Sequence, residues 1–138
     1  MRLLALLLAL WAGDGLALCT SSVVPVAFGV YNPLSAASVD STGSVDVVCV
    51  PAASYTISIS PGQGSFAARL MTSGSYHLSY NLYTSASRSV VWGDGTGGSS
   101  SVAGTGATAS YPIYGRIPAL QNVGAGAFAD VILVTVTF

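Results

Sequence analysis

The chain is 138 residues long, carries a formal net charge of −1, and only 7% of its residues are charged. That balance removes any electrostatic basis for binding nucleic acid or an anionic membrane surface. Hydrophobic residues make up 51% of the chain, too many for a disordered polymer, and the surplus of Ser, Thr, Gly, Ala and Val is the vocabulary of strands and turns.

The first segment is an export signal. Arg2 supplies a positive start, residues 3–12 are apolar without interruption, and Gly13, Asp14 and Gly15 break the run. Gly15-Leu16-Ala17 then offers small residues at the positions a signal peptidase inspects, so residues 1–17 are expected to leave after Ala17. About ten apolar residues fall short of the roughly twenty that span a bilayer as a helix. Leu16-Ala17-Leu18-Cys19 is also close to a lipoprotein signal, but Leu18 is large where a small residue is wanted. Acylation of Cys19 would also leave Cys49 alone. An exported chain with two cysteines points to a Cys19–Cys49 disulfide. Closing that loop is worth roughly 3.5–4 kcal/mol on chain entropy.

Residues 18–138 form one expected domain, and its periodicity is two throughout. Val24, Val26, Phe28 and Val30 alternate with smaller residues, with Pro25 marking an edge or a bulge. Val45, Val47 and Cys49 share a strand face opposite Asp46. Tyr55, Ile57 and Ile59 alternate with Thr56, Ser58 and Ser60, and Pro61-Gly62 ends that strand. Tyr76, Leu78, Tyr80 and Leu82 face away from His77, Ser79, Asn81 and Tyr83. A short strand over residues 89–92 stops at Gly93-Asp94-Gly95, and the Gly/Ser-rich stretch 97–106 reads as a loop. Residues 110–117 read as extended, and Asp130, Ile132, Val134, Val136 and Phe138 form the last alternating face. Six to eight short strands with frequent turns and no amphipathic helix describe an all-β sandwich or barrel.

Chemistry-bearing constellations are sparse. The segment Trp92 to Gly98 fits G-x-G-x-x-G formally, but no helix follows it, so the expectation is an Asp-Gly turn. His77 is the only histidine. Asp40, Asp46, Asp94 and Asp130 are scattered, and nothing clusters at metal-ligand spacing. No catalytic or metal-binding residue, cofactor or small-molecule substrate is expected, and the chain does not read as an enzyme.

Taken together, several motifs resemble a known family. A cysteine near the mature start is followed by Phe28-Gly29-Val30-Tyr31-Asn32-Pro33. The second cysteine comes next, then Trp92-Gly93-Asp94-Gly95, then Tyr114-Gly115-Arg116-Ile117-Pro118-Ala119 with Gln121. Gly126, Phe128 and Asp130 precede the terminal alternating strand. This order resembles the spore coat protein U domain family, which includes subunits of archaic chaperone–usher pili. The resemblance implies an incomplete immunoglobulin-like β-sandwich of pilin type, lacking its final strand and closed by one disulfide. It implies a groove bordered by Val24, Val26, Phe28 and Val30 on one side and Ile132, Val134, Val136 and Phe138 on the other. A periodic partner would fill that groove by β-strand addition: first a periplasmic pilus chaperone, then, at the usher, a neighbouring pilin subunit. Export through the periplasm to a surface fibre, or secretion, follows. A shaft subunit of this family carries an apolar donor segment before its first cysteine. Cleavage after Ala17 would leave only Leu18 there, which points to a tip-type subunit that accepts a strand without donating one. Val102, Ala103 and Ala107, within the expected loop region 102–109, are candidates for adhesive contacts. Two other classes compete: a small outer-membrane β-barrel, which shares the alternating strands and terminal Phe138, and a secreted hydrolase built on His77.

Overall fold

Alternation at period two commits the chain to strands, and pairing partners decide where each strand starts and stops. The structure, a computed structural model, describes residues 16–138; the expected leader lies outside the described residues except for Leu16 and Ala17. The strands are β1 (Leu18–Val24), β2 (Val39–Ile59), β3 (Arg69–Ser73), β4 (Tyr76–Tyr83), β5 (Val102–Ile117) and β6 (Val134–Thr137). There is no helix among the described residues. Every pairing is antiparallel, in the order β1-β2-β5-β4-β3, with β6 also paired to β2.

The spine is β2, 21 residues long, which joins the two strands expected around Val47 and Ile57. Its register against β5 shifts between Val48 and Ala53, so β2 carries extra residues there. Val45, Val47 and Cys49 before the irregularity, and Tyr55, Ile57 and Ile59 after it, all remain buried. They meet Leu78, Tyr80 and Leu82 of β4 and Ile113 and Ile117 of β5 in one core. The sheet curls because β4 is shared: its first part pairs with β3, while Asn81, Leu82 and Tyr83 pair with Arg116, Gly115 and Tyr114 of β5. The ends of the path, β1 and β3, do not pair with each other, so the described residues form no closed barrel.

Three expected boundaries change. The first strand is not 24–30 but Leu18–Val24. Cys19 is bonded to Cys49 and sits directly opposite it, with Cα atoms 4.0 Å apart, which fixes the register. Pro25 has no N–H to continue the ladder. Residues 25–31 instead turn across the inner face of the sheet, which is made shallow for them by Gly43 and Gly115. A Cβ at Gly43 would strike Val24 O and Pro25, and one at Gly115 would strike the Phe28 ring and Val26. Second, β5 begins at Val102, inside the stretch expected to be a loop. Gly104 is required there, because a Cβ would run into the Tyr55 and Tyr111 side chains. Third, residues 89–92 contribute only isolated bridges, Tyr83 to Val91 and Trp92 to Ser100, and the terminal strand is the short β6.

The disulfide ties the first strand to the spine across a sequence separation of 30. Replacing Cys19 and Cys49 together by Ala should lower unfolding free energy by about 3–4 kcal/mol in urea melts, with the all-β far-UV spectrum retained below the transition.

Candidate acceptor cleft

Where residues 25–31 leave the sheet edge and the terminal segment has not yet joined it, the core stays open. The result is an apolar cleft of about 1100 Å³. Met71, Leu78, Tyr80, Leu82, Ile113 and Ile117 line its buried side. One wall is the 25–31 segment, and the other is residues 123–132 with Val134. Both walls carry bare backbone. Residues 25–31 make no main-chain to main-chain hydrogen bond and are held by side chains. The Ser41 hydroxyl donates to Ala27 O (2.7 Å), and the Tyr31 hydroxyl donates to Pro118 O (2.8 Å) while accepting from Gln121 N (3.0 Å). Residues 122–128 likewise make no main-chain pair before Ala129 meets Thr72.

Two polar locks hold the second wall. Gln121 caps the edge of β4 as a strand would, its Oε1 accepting from Ser79 N (2.8 Å) and its Nε2 donating to Ser79 O (2.7 Å). At the other end the Asp130 carboxylate accepts from the Tyr80 hydroxyl (2.6 Å), from Gln63 N (3.1 Å) and from Gln63 Nε2 (3.2 Å). Burial, reinforced by that hydrogen bond, pushes the Tyr80 phenol far above its ordinary pKa, so it remains a donor. From Asp130 the chain crosses from β3 to β2: Ser60 N donates to Leu133 O (2.9 Å), and β6 follows.

Next to Met71 and Leu78 in the β3–β4 pair, though not itself lining the cleft, Arg69 is a fully buried cation. Arg69 donates through Nε to Ser60 O (3.0 Å), through Nη1 to Asn81 Oδ1 (2.7 Å), and through Nη2 to Ser60 O (2.9 Å) and Trp92 O (2.6 Å). Its guanidinium stands 5.5 Å from the Phe66 ring centroid. Burial lowers its pKa. Carbonyl dipoles and one amide, rather than a bonded carboxylate, therefore satisfy this charge. Arg69 joins the end of β2, β4 and the Trp92 turn in one knot.

The expected site residues separate into groups. Val26, Phe28, Val30, Ile132 and Val134 line the cleft, with Val30 94% exposed on its rim. Val24, Val136 and Phe138 do not. Val24 ends β1, Val136 packs on the core from β6, and Phe138, 57% exposed, borders a separate shallow hollow beside Tyr55 and Gly104. Val24 and Val136 lie within stretches paired to β2 and Phe138 follows directly on β6, whereas Val134, at the start of β6, is the one ladder residue of the set that reaches the cleft. Trp92, Gly93, Asp94 and Gly95 form a locked turn. The Trp92 indole donates to Ile57 O (3.1 Å), and Asp94 Oδ1 accepts from Thr96 N (2.9 Å) and its hydroxyl (2.5 Å). Those donors hold the Asp94 carboxyl below its usual range. Val102 and Ala103 are not in a loop but in β5, opposite Ile57 and Thr56 of β2; Ala107 is also in β5, at the point where the register against β2 shifts. His77 lies exposed on β4 opposite Thr72, with no Asp or Ser side chain bonded to its ring among the described residues. Sequence reading missed Arg69, Tyr31 and the role of Gln121. Tyr31 and Gln121 each carried a signal, as parts of the Phe28 to Pro33 motif and the C-terminal motif, while Arg69 carried none.

The model of the Spore Coat Protein U domain matches residues 14–135, which is nearly the whole chain. This chain belongs to the spore coat protein U domain family. The domain is 34% identical over 125 residues to Protein U of Myxococcus xanthus, covering 80% of this chain and 70% of that protein. Its fold is similar to a chain in the crystal structure of the CsuC–CsuE chaperone–tip adhesion subunit pre-assembly complex from archaic chaperone–usher Csu pili of Acinetobacter baumannii. The TM-score is 0.66 at 21% identity, over 89% of this domain and 40% of that chain. This spore coat protein U domain thus spans well under half of its structural neighbour.

Two predictions follow from the polar locks. Arg69→Met should cost about 3 kcal/mol or more in chemical denaturation, since several buried acceptors lose their donor together. The second concerns alkaline pH. Tyr55, hydrogen-bonded to the Tyr111 hydroxyl at 2.8 Å, is pushed up to about 12 by burial first and that bond second, and Tyr80 is raised as well. Both phenols ionise more readily when unfolded. Their contribution is therefore complete below about pH 10 and is lost as pH rises beyond it, so thermal midpoints should fall steeply above pH 10. Tyr55→Phe should flatten part of that fall.

Proposed function

We propose that this chain is a structural and adhesive subunit of a surface fibre or coat, assembled by the chaperone–usher route through acceptance of a β-strand in its cleft. The observation that carries the reading is the cleft itself: an apolar trough whose two walls both present main-chain groups without main-chain partners among the described residues. Such a trough suits an extended segment, which supplies hydrogen bonds along its length and alternate side chains into the trough. Family membership and the likeness to the Csu assembly complex support the same route. The partners are then a periplasmic pilus chaperone, an usher and a neighbouring subunit, and the destination is the cell surface by way of the periplasm. No catalytic role is part of this reading.

The tip-type role belongs to the same proposal. With cleavage after Ala17 the mature chain enters β1 at once, Leu18 lying opposite Val50 and Cys19 bonded to Cys49. A residue already paired to β2 in β1 is not free to extend into a neighbour's cleft.

The test is thermal melting of the exported chain with a synthetic peptide of alternating apolar residues, alongside the intact mass of that chain. A hundredfold excess over Kd adds about 2.7 kcal/mol, which for a domain of this size raises the midpoint by roughly 10 °C. An unchanged midpoint up to millimolar peptide would reject strand acceptance. A mass that includes residues before Leu18 would reject the tip-type role alone.

A further inference from the structure

The cleft is not the only place where this fold offers unpaired backbone. Among the described residues, strand β1 ends the sheet path and pairs on one side only. Two observations fix which of its residues turn their main-chain groups outward. Cys19 and Cys49 face each other with Cα atoms 4.0 Å apart, the close spacing of a pair that does not exchange hydrogen bonds. Pro112, which has no N–H, lies opposite Ser44, so Ser44 turns its groups toward Val24 of β1 instead. Both give the same phase. Leu18, Thr20, Ser22 and Val24 bond to β2, while Cys19, Ser21 and Val23 point their N–H and C=O groups away from the sheet. No hydrogen bond within the described residues reaches those three outward sites. Pro25 then closes the platform, since the next outward position has no donor.

Natural edge strands are usually protected by charge, by an internal proline or by a bulge. Between Leu18 and Val24 there is none of these. Instead the strand is self-complementary. Placing Ser21 opposite Ser21 of a second, antiparallel copy sets Cys19 against Val23, Thr20 against Ser22, and Leu18 against Val24. The two most exposed apolar side chains of β1, Leu18 at 65% and Val24 at 55%, would then cover each other across the seam. Hydroxyl would meet hydroxyl in between. The nearest charge, Asp46 opposite Ser22 on β2, would stand at least ~14 Å from its counterpart, three strand spacings away. Screening removes most of that repulsion at physiological salt.

We propose that the outer edge of β1 is a homophilic docking edge, on which a second copy of this chain pairs antiparallel about a two-fold axis at Ser21. The pairing is isologous and closed, with about six main-chain hydrogen bonds. It shares only Val23 with the lining of the acceptor cleft and does not depend on strand acceptance. Strand addition at the cleft would link subunits in series, and β1 pairing would join them side by side.

The test is sedimentation equilibrium of the exported chain across roughly 10 µM to 1 mM, the range expected for a small interface. The wild type should rise from monomer to twice the monomer mass. Ser21→Pro removes only an outward N–H and should remain monomeric over the whole range. Should that variant misfold, Thr20→Lys with Ser22→Lys tests the register on its own, because like charges then face each other and the dimer should be lost at least tenfold. Thr20→Lys with Ser22→Asp places opposite charges face to face and should restore it. A wild-type chain that stays monomeric at 1 mM would overturn the proposal, as would a dimer unaffected by either edge variant, or charge pairs that fail to rescue. A dimer abolished by cleft-filling peptide but intact in Ser21→Pro would assign the association to the cleft and also overturn it. The peptide-induced rise in melting temperature should persist in Ser21→Pro, which keeps the two surfaces experimentally separate.

Discussion

The supply of main-chain partners along one edge of β2 governs this structure. On one side β2 is matched to β5 along most of its length. On the other side the edge is divided. β1 occupies it from Ser44 to Val50, and β6 occupies it from Thr56 to Ile59. Both run antiparallel to β2, so β6 heads toward the start of β1 along the same line. Each reaches the cleft only at its end, through Val23 of β1 and Val134 of β6: β1 stops before Pro25, and β6 does not begin before Val134. Over the rest of the cleft the chain covers the core with side chains, and its walls are not strands. A folded domain with an open apolar trough is the physical outcome of that division.

A trough of this size must be kept from collapsing. Gln121 and Asp130 hold one wall, and Arg69 ties together the strand ends next to it by an unusual route. A buried guanidinium costs several kcal/mol in desolvation, and its worth here lies in geometry rather than net attraction. Its planar fork holds the carbonyls of Ser60 and Trp92 and the Asn81 side chain in fixed positions. Asn81 in turn donates to Phe66 O (2.8 Å), which shapes the loop beneath the guanidinium. Tyr80, opposite Arg69 in the β3–β4 register, carries the rigidity upward to Asp130. The wall that Asp130 anchors is therefore tied to the Trp92 turn through only a few side chains. The mouth of the trough stays free because Gln121 and Asp130 bind its wall at the two ends and leave residues 122–128 unpaired.

Much of this was readable in the sequence where a side chain reports its own environment. The alternation of Val45, Val47, Tyr55, Ile57, Leu78 and Leu82 identified the buried faces because burial follows the pleat directly. The cysteines and the Trp92-Gly93-Asp94-Gly95 turn were legible for similar reasons. Boundaries were less so, because pairing is a property of two strands. Nothing in residues 24–30 announces that Pro25 ends the ladder instead of bulging it. Nor does anything in residues 102–106 reveal that glycine is accepted in a strand to make room for two tyrosine rings. Arg69 was invisible for a further reason. A lone arginine before Leu70 looks like a solvated strand end, and only the convergence of carbonyls from distant β2 and the Trp92 turn makes it internal.

The two open features of the fold differ in kind, and the difference follows from side-chain direction. In the cleft, unpaired backbone borders an apolar floor, so an incoming segment gains burial as well as hydrogen bonds. At the β1 edge the floor is missing. The outward groups of Cys19, Ser21 and Val23 lie beside exposed Thr20 and Ser22, and the apolar gain is confined to Leu18 and Val24 at the ends. On the proposed reading, strand addition in the cleft would bury more apolar surface than pairing at β1, which would be weak per subunit. Weak contacts become effective when many are presented together, because each new one forms at the high local concentration set by its neighbours. With one deep acceptor and one shallow self-matching edge, as proposed, the chain would associate sparingly as a free subunit and extensively once placed among copies of itself.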